Sequence, residues 1–187
     1  MINQVFDSGS FKILALFSVS PGSRFRRKEI KERTRMHNIP LDSALARLVS
    51  SGVIKKEKGL FSVNLENNYA EHIIAILSSQ HRYLKNLPFD VYFLLADAVN
   101  ELSNVKGLEL WLFGSYSKMV YNERSDVDLA LLVSRGPDKK HIQKVLRKLE
   151  KHYLKEIEEH FFDVHEFYKN KKDPLVKEIM RNGVRLM

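Results

Sequence analysis

The heptapeptide VDLALLV at residues 127–133, with aspartates at positions 126 and 128, constrains this chain more than any other stretch. A short apolar run of this kind reads as a β-strand, and side chains along a strand alternate between faces. Asp126 and Asp128 therefore share one face, while Val127 and Leu129 point into a core. Residues 108–113, LELWLF, read as a second strand, with Trp111 and Phe113 in the core, and Gly114-Ser115 as a tight turn after it. Residues 138–159 read as a long amphipathic helix, residues 161–167 (FFDVHEF) as a third strand, and residues 174–180 as a short last helix. In that third strand Asp163 and His165 would share a face. The expected C-terminal fold is α+β, a mixed β-sheet with helices packed on one face.

The N-terminal third is organised differently. Residues 11–19 and 26–35 read as helices, separated by Pro21-Gly22, and a third helix runs from Asn38 as N-cap, with Pro40 in its first turn, to Ser51 and Gly52. Val53-Ile54 and Leu60, Phe61 and Val63 then flank a charged tip containing Gly59, the pattern of a β-hairpin. Residues 1–60 carry 12 Lys and Arg against 5 Asp and Glu, so nearly all of the net charge of +8 sits there. That asymmetry points to a polyanion-binding module joined to a roughly neutral one.

Residues 8–65 thus resemble a winged helix-turn-helix module. The resemblance implies that Ser43, Arg47 and Asp42 on the third helix face a major groove, while Lys55, Lys56 and Lys58 on the wing meet phosphates. The boundaries read as 1–66 for this DNA-binding domain, 67–87 for a helical connector and 88–187 for the second domain.

There is no cysteine, so disulfide scaffolds, thiolate zinc sites and cysteine nucleophiles are excluded. The opening MINQVFDSGSFK has no basic stretch followed by a long apolar one, and no apolar run reaches the length of a membrane span. A cytoplasmic protein is expected.

The informative constellation is Gly114-Ser115, a short helix, Ser125-Asp126-Val127-Asp128, and later Phe162-Asp163-Val164. Over residues 90–185 it resembles the polymerase-beta-like nucleotidyltransferases, in particular the minimal ones. The resemblance implies that Asp126, Asp128 and Asp163 hold two Mg²⁺ or Mn²⁺ ions and carry the catalysis of in-line phosphoryl displacement. It also implies that Gly114, Ser115, Lys118 and Arg124 bind the nucleotide: glycine for a close backbone approach, Ser115 opening a helix whose free N–H groups suit an anion. Such proteins often have Arg or Lys followed by Gly after the turn, whereas here Met119 follows Lys118. His141, His152 and His160 read as surface or packing residues on the long helix, and His165 as a neighbour of Asp163.

The activity implied is transfer of a nucleoside monophosphate, AMP from ATP, to a hydroxyl acceptor. The partners implied are a nucleoside triphosphate, double-stranded DNA at the N-terminal module, and a HEPN-type helical protein. The rival reading is a DNA-binding regulator whose second domain only binds nucleotide or a partner protein.

Overall fold

The computed structural model describes residues 7–80, 84, 86–134 and 139–187. The chain divides into two compact units, one ending at Phe93 and the other running from Leu94 to Met187.

The first unit contains α1 (Ser8–Val19), β1 (Phe25–Arg26), α2 (Arg27–Thr34), α3 (Asn38–Ser50), β2 (Ile54–Glu57), β3 (Leu60–Val63) and α4 (Asn68–Gln80). Asp7 caps α1 by accepting from the Ser10 N–H at 3.1 Å. The apolar side chains from Phe11 to Phe17 are all buried, which makes α1 the spine of the unit. α2 stops at Arg35, which adopts left-handed backbone with φ 52°. The N-cap of α3 is His37, one residue before the expected Asn38. Lys58 and Gly59, both at positive φ, close the hairpin as a two-residue turn whose twist matches its strands. β1 pairs with β3 to give the antiparallel order β1-β3-β2.

α4 packs on α1, and the Ser78 hydroxyl donates to the Ser18 carbonyl at 3.0 Å. It therefore belongs to the first unit and is no free connector. Residues 81–83 and 85 of the expected connector lie outside the described residues, as does Asp138, the expected start of the long helix. The division between the units falls inside α5 (Phe89–Leu102), later than the expected boundaries at 66 and 87.

The second unit continues with β4 (Leu108–Leu112), α6 (Gly114–Ser117), β5 (Val127–Val133), α7 (Lys139–Tyr153), β6 (Ile157–Asp163), α8 (Val164–Lys169), α9 (Pro174–Asn182) and β7 (Val184–Arg185). The sheet order is β6-β5-β4-β7; β5 and β6 are parallel and the other pairs antiparallel. This is a mixed sheet, as expected.

Two expectations fail. Helices cover both faces of the sheet, not one. Phe113, Ala130 and Leu132 pack with Phe167, Val176 and Ile179 of α8 and α9. On the other face Glu159 accepts from Gln143 of α7 at 3.2 Å, while Val127, Leu129 and Leu131 are equally buried. The central strand therefore has to be apolar on both sides beyond its first residues. Secondly, the third strand lies earlier than residues 161–167. α7 ends at Tyr153, and Leu154 turns the chain with φ 52°. β6 then runs from Ile157 and stops at Asp163, whose carboxylate accepts from the N–H groups of His165 (2.9 Å) and Glu166 (3.2 Å) and so caps α8. Among the described residues, no helix is long and apolar enough to cross a membrane.

Candidate functional site

The site begins at the first rungs of β5. Asp128 pairs with Glu158 of β6 in parallel register, and Val127 with Ile157. Alternation places Glu158, His160 and Phe162 on the same face as Asp128, Ala130 and Leu132. His160 Nε2 lies 3.0 Å from Glu158 Oε1, and its ring meets Phe113 edge to face at 5.3 Å. Asp126 is half-buried just ahead of the strand, in phase with Asp128.

The turn after β4 closes onto these carboxylates. The Phe113 N–H donates to the Asp128 carbonyl at 3.0 Å, and the Ser115 N–H donates to the Asp128 carboxylate. Gly114 adopts φ +70°, and a Cβ at this position would run into the Asp128 carboxyl group, 2.5 Å from its Cγ. Only glycine fits here, for its backbone angle and for the space. Burial pushes the Asp128 carboxyl above its ordinary range, and the charge of Glu158 adds to this, as does that of Asp126. The Ser115 N–H and His160 act in the opposite sense.

A second layer fixes the loop that carries Asp126. Tyr116 is buried and stacks on Tyr121 with centroids 4.6 Å apart. Lys155 Nζ donates to Tyr116 Oη at 3.0 Å and to the Glu123 carbonyl at 2.9 Å. The Asn122 N–H donates to the Ser125 hydroxyl at 2.9 Å, which tightens the turn before Asp126. Met119 has φ 58°, the left-handed conformation that glycine takes without strain.

The expected residues are therefore only partly brought together. Gly114, Ser115, Asp126 and Asp128 converge. Asp163 does not join them: it pairs with Val133, five rungs along β6 from the Asp128–Glu158 pair. It lines an open depression with Ser134, His165, Glu166 and Lys169. Lys118 follows the turn, but its ammonium is held by Glu178 of α9 at 2.6 Å. Arg124 is exposed, with its N–H donating to Asn122 Oδ1 at 2.8 Å. α6 is a single turn, too short for a substantial dipole, and its Ser115 N–H is spent on Asp128. Sequence reasoning missed Glu158 and His160. The signal was the spacing Glu158-x-His160 after Ile157, concealed by a helical pattern carried on to residue 159. Among the described residues, no group of three or more Asp, Glu or His side chains stands in ready metal-binding geometry.

In the first unit Arg47 donates to Ser43 Oγ at 2.8 Å and to Asp7 Oδ1 at 2.7 Å, so two of the three expected base-reading residues are bonded together. Asp42 is engaged by Arg27 at 2.6 and 2.8 Å, a fork that fastens α2 to α3. On the hairpin, Lys55 faces Glu57 at 3.3 Å, Lys56 lies over the Phe61 ring at 5.3 Å, and Lys58 sits exposed at the tip.

Residues 94–186 match the family model of the nucleotidyltransferase domain, which supports placing the second unit in the nucleotidyltransferase superfamily and suggests a transferase. No curated protein and no solved structure matches the chain.

Proposed function

We propose that the second unit is a divalent-metal-dependent nucleotidyltransferase that transfers AMP from ATP to a hydroxyl acceptor, and that Asp126, Asp128 and Glu158 are its acidic residues. The observation that carries this reading is the closure of the Gly114-Ser115 turn on Asp128, with Glu158 its register partner on β6. The donor set suits Mg²⁺ or Mn²⁺, since it consists of hard carboxylate oxygens and concentrates negative charge where burial already penalises it. A bound divalent cation supplies charge neutralisation for a triphosphate and lowers the pKa of an attacking hydroxyl.

The chain's own residues do the rest. Gly114 lets phosphate oxygens reach the backbone, and Ser115 holds the Asp128 carboxylate in one orientation while its hydroxyl remains available to the nucleotide. Lys118 reaches a phosphate only by exchanging Glu178 for it, an exposed ion pair of low cost to break. The acceptor is a hydroxyl on a nucleic-acid end, a protein side chain such as one on a HEPN-type partner, or a small molecule.

For the first unit we propose a winged helix that binds double-stranded DNA. Its support is the order α1-β1-α2-α3-β2-β3, the sheet order β1-β3-β2 and the basic charge of residues 1–60. A regulator whose second unit binds nucleotide without turnover is the competing reading, favoured by the engagement of Lys118 with Glu178.

The test uses α-labelled ATP, Mg²⁺ and candidate acceptors, with wild type beside Asp126→Asn/Asp128→Asn. We expect labelled acceptor with wild type only, and loss of Mg²⁺-dependent ATP binding in the folded double variant. Binding retained in that variant removes the two aspartates from the site, and ATP binding by wild type without transfer to any acceptor establishes the regulator.

A further inference from the structure

We propose that the solvent face of α7 binds the phosphodiester backbone of a nucleic acid, as a surface separate from the hairpin lysines and from the carboxylates. Within residues 94–187 there are 17 Lys and Arg against 15 Asp and Glu, a net of +2. α7 alone carries six of those cations, Lys139, Lys140, Lys144, Arg147, Lys148 and Lys151, against Glu150, a net of +5. The rest of the unit is thus at −3, and the near-neutral total conceals a strongly polarised domain.

The placement of the cations is regular. Lys140, Lys144, Arg147, Lys148 and Lys151 fall at helical spacing on one exposed face and line one open depression with Gln143. The acid in the same helix is turned away from them, because Glu150 accepts from the Ile157 N–H at 2.9 Å. Lys148 has a partner, Glu101 at 3.1 Å, but both side chains are well exposed and such a pair exchanges readily. From Lys140 to Lys151 the stripe spans about 16 Å at 1.5 Å per residue. One strand of a duplex presents a phosphate every ~3.4 Å of axis, so about five phosphates lie within that reach.

The chemistry of this face favours a phosphodiester chain over other anionic partners. A protein interface draws on aromatic or large apolar anchors at its centre, and a membrane-surface helix needs a free apolar face. α7 has neither: its large apolar residues Ile142, Val145, Leu146, Leu149 and Tyr153 are all buried. What remains is charge at a regular repeat, which suits sequence-independent backbone contact. The hydrogen bond from Gln143 to Glu159 places α7 on the sheet face opposite Asp128 and Glu158. A nucleic acid on α7 is therefore tethered behind the carboxylates, and its affinity is independent of nucleotide.

The test measures fluorescence anisotropy of a labelled mixed-sequence DNA duplex and of a single-stranded RNA of equal length, across a salt titration. It compares the full chain with Lys140→Gln/Lys144→Gln/Arg147→Gln/Lys151→Gln. A second variant, Lys140→Arg/Lys144→Arg/Lys151→Arg, keeps the charge. For the duplex, the slope of log affinity against log salt should fall by about 0.9 for each phosphate contact removed, approaching ~3.6 for four. The arginine variant should keep wild-type slope and affinity. The proposal holds if either nucleic acid shows this loss, and the larger loss identifies the source. It is overturned if the neutralised variant, with a wild-type thermal melt, binds both probes with unchanged slope. It is also overturned if the arginine variant loses binding, or if only affinity for an acidic polypeptide is lost.

Discussion

Asp163 and Glu158 compete for the role of third carboxylate, and one pair of substitutions decides between them. In the parallel register Asp128 lies beside Glu158, and Val133 beside Asp163. Five residues at ~3.3 Å each put Asp163 about 16 Å from the Asp128 rung. Two metals in a phosphoryl-transfer site stand only ~3.5–4 Å apart, so a carboxylate at that remove serves neither. Asp163 instead satisfies two N–H groups at the start of α8. Asp163→Ala should therefore leave transfer from α-labelled ATP within about twofold of wild type, while the lost cap costs ~1 kcal/mol. For a unit of this size that is a lowering of the melting midpoint by roughly 4–8 °C. Glu158→Gln should do the reverse, with transfer falling a hundredfold or more, ~2.7 kcal/mol, in a protein that melts no lower than wild type. A folded Asp163→Ala protein that loses transfer a hundredfold, beside a fully active Glu158→Gln, would refute the assignment built on the strand register.

Two further outcomes follow from the backbone and the charges of the same region. Met119 holds φ 58° and is 42% exposed, so Met119→Gly should raise stability by up to ~1 kcal/mol, seen as a higher denaturant midpoint at unchanged m-value; an unchanged or lower midpoint counts against strain at that turn. The Asp128 carboxyl is raised above its ordinary 3.8, so the folded state binds that proton more tightly than the unfolded chain, and stability is lost as pH rises through the folded value. Asp128→Asn should accordingly melt higher than metal-free wild type near neutral pH, with the advantage vanishing below about pH 3.8, and a variant that melts lower at neutral pH contradicts this.

Much of the fold was legible because local and global signals agreed. Residues 127–133 form the expected strand, and the Lys58-Gly59 tip is the turn that its flanking apolar pairs demanded. The misreadings share a physical cause. Arg35, Met119 and Leu154 all turn the chain with positive φ where no glycine marks the break. Without such a mark at Leu154, the helical pattern ran on, and β6 was assigned too late. Asp163-Val164-His165-Glu166 satisfies strand alternation, yet the same four residues carry the spacing of a helix start, with an N-cap acid and Glu at the third position. Tertiary context chose the second. Placing Asp126, Asp128 and the Gly114-Ser115 turn needed only neighbours in sequence, whereas Glu158 depended on a parallel register set across α7. Charge misled for a related reason, since a sum over two-thirds of the chain cancels the cations of α7 against acids on other elements.

Strand alternation also separates the charges of the second unit. Even-numbered residues at the start of β5 and β6 put Asp128 and Glu158 on one face; the odd-numbered Glu159 points to α7, whose cations lie beyond it. A triphosphate approaching the carboxylate face meets Asp126, Asp128 and Glu158, and Lys118, the cation that follows the turn, is already committed to Glu178. Burial first, and the neighbouring charges of Glu158 and Asp126 after it, already hold the Asp128 carboxyl above its ordinary range, and a further anion adds to that repulsion. Two remedies are open to such a site: protonation of a carboxylate, or neutralisation by a cation. Protonation removes the anionic ligand that the proposed chemistry requires, so on the proposed reading nucleotide affinity at neutral pH should depend on divalent cation, and Lys118 becomes available to phosphate only once Glu178 is displaced. The basic surface of α7 lies on the far side of the sheet and cannot compensate for that repulsion.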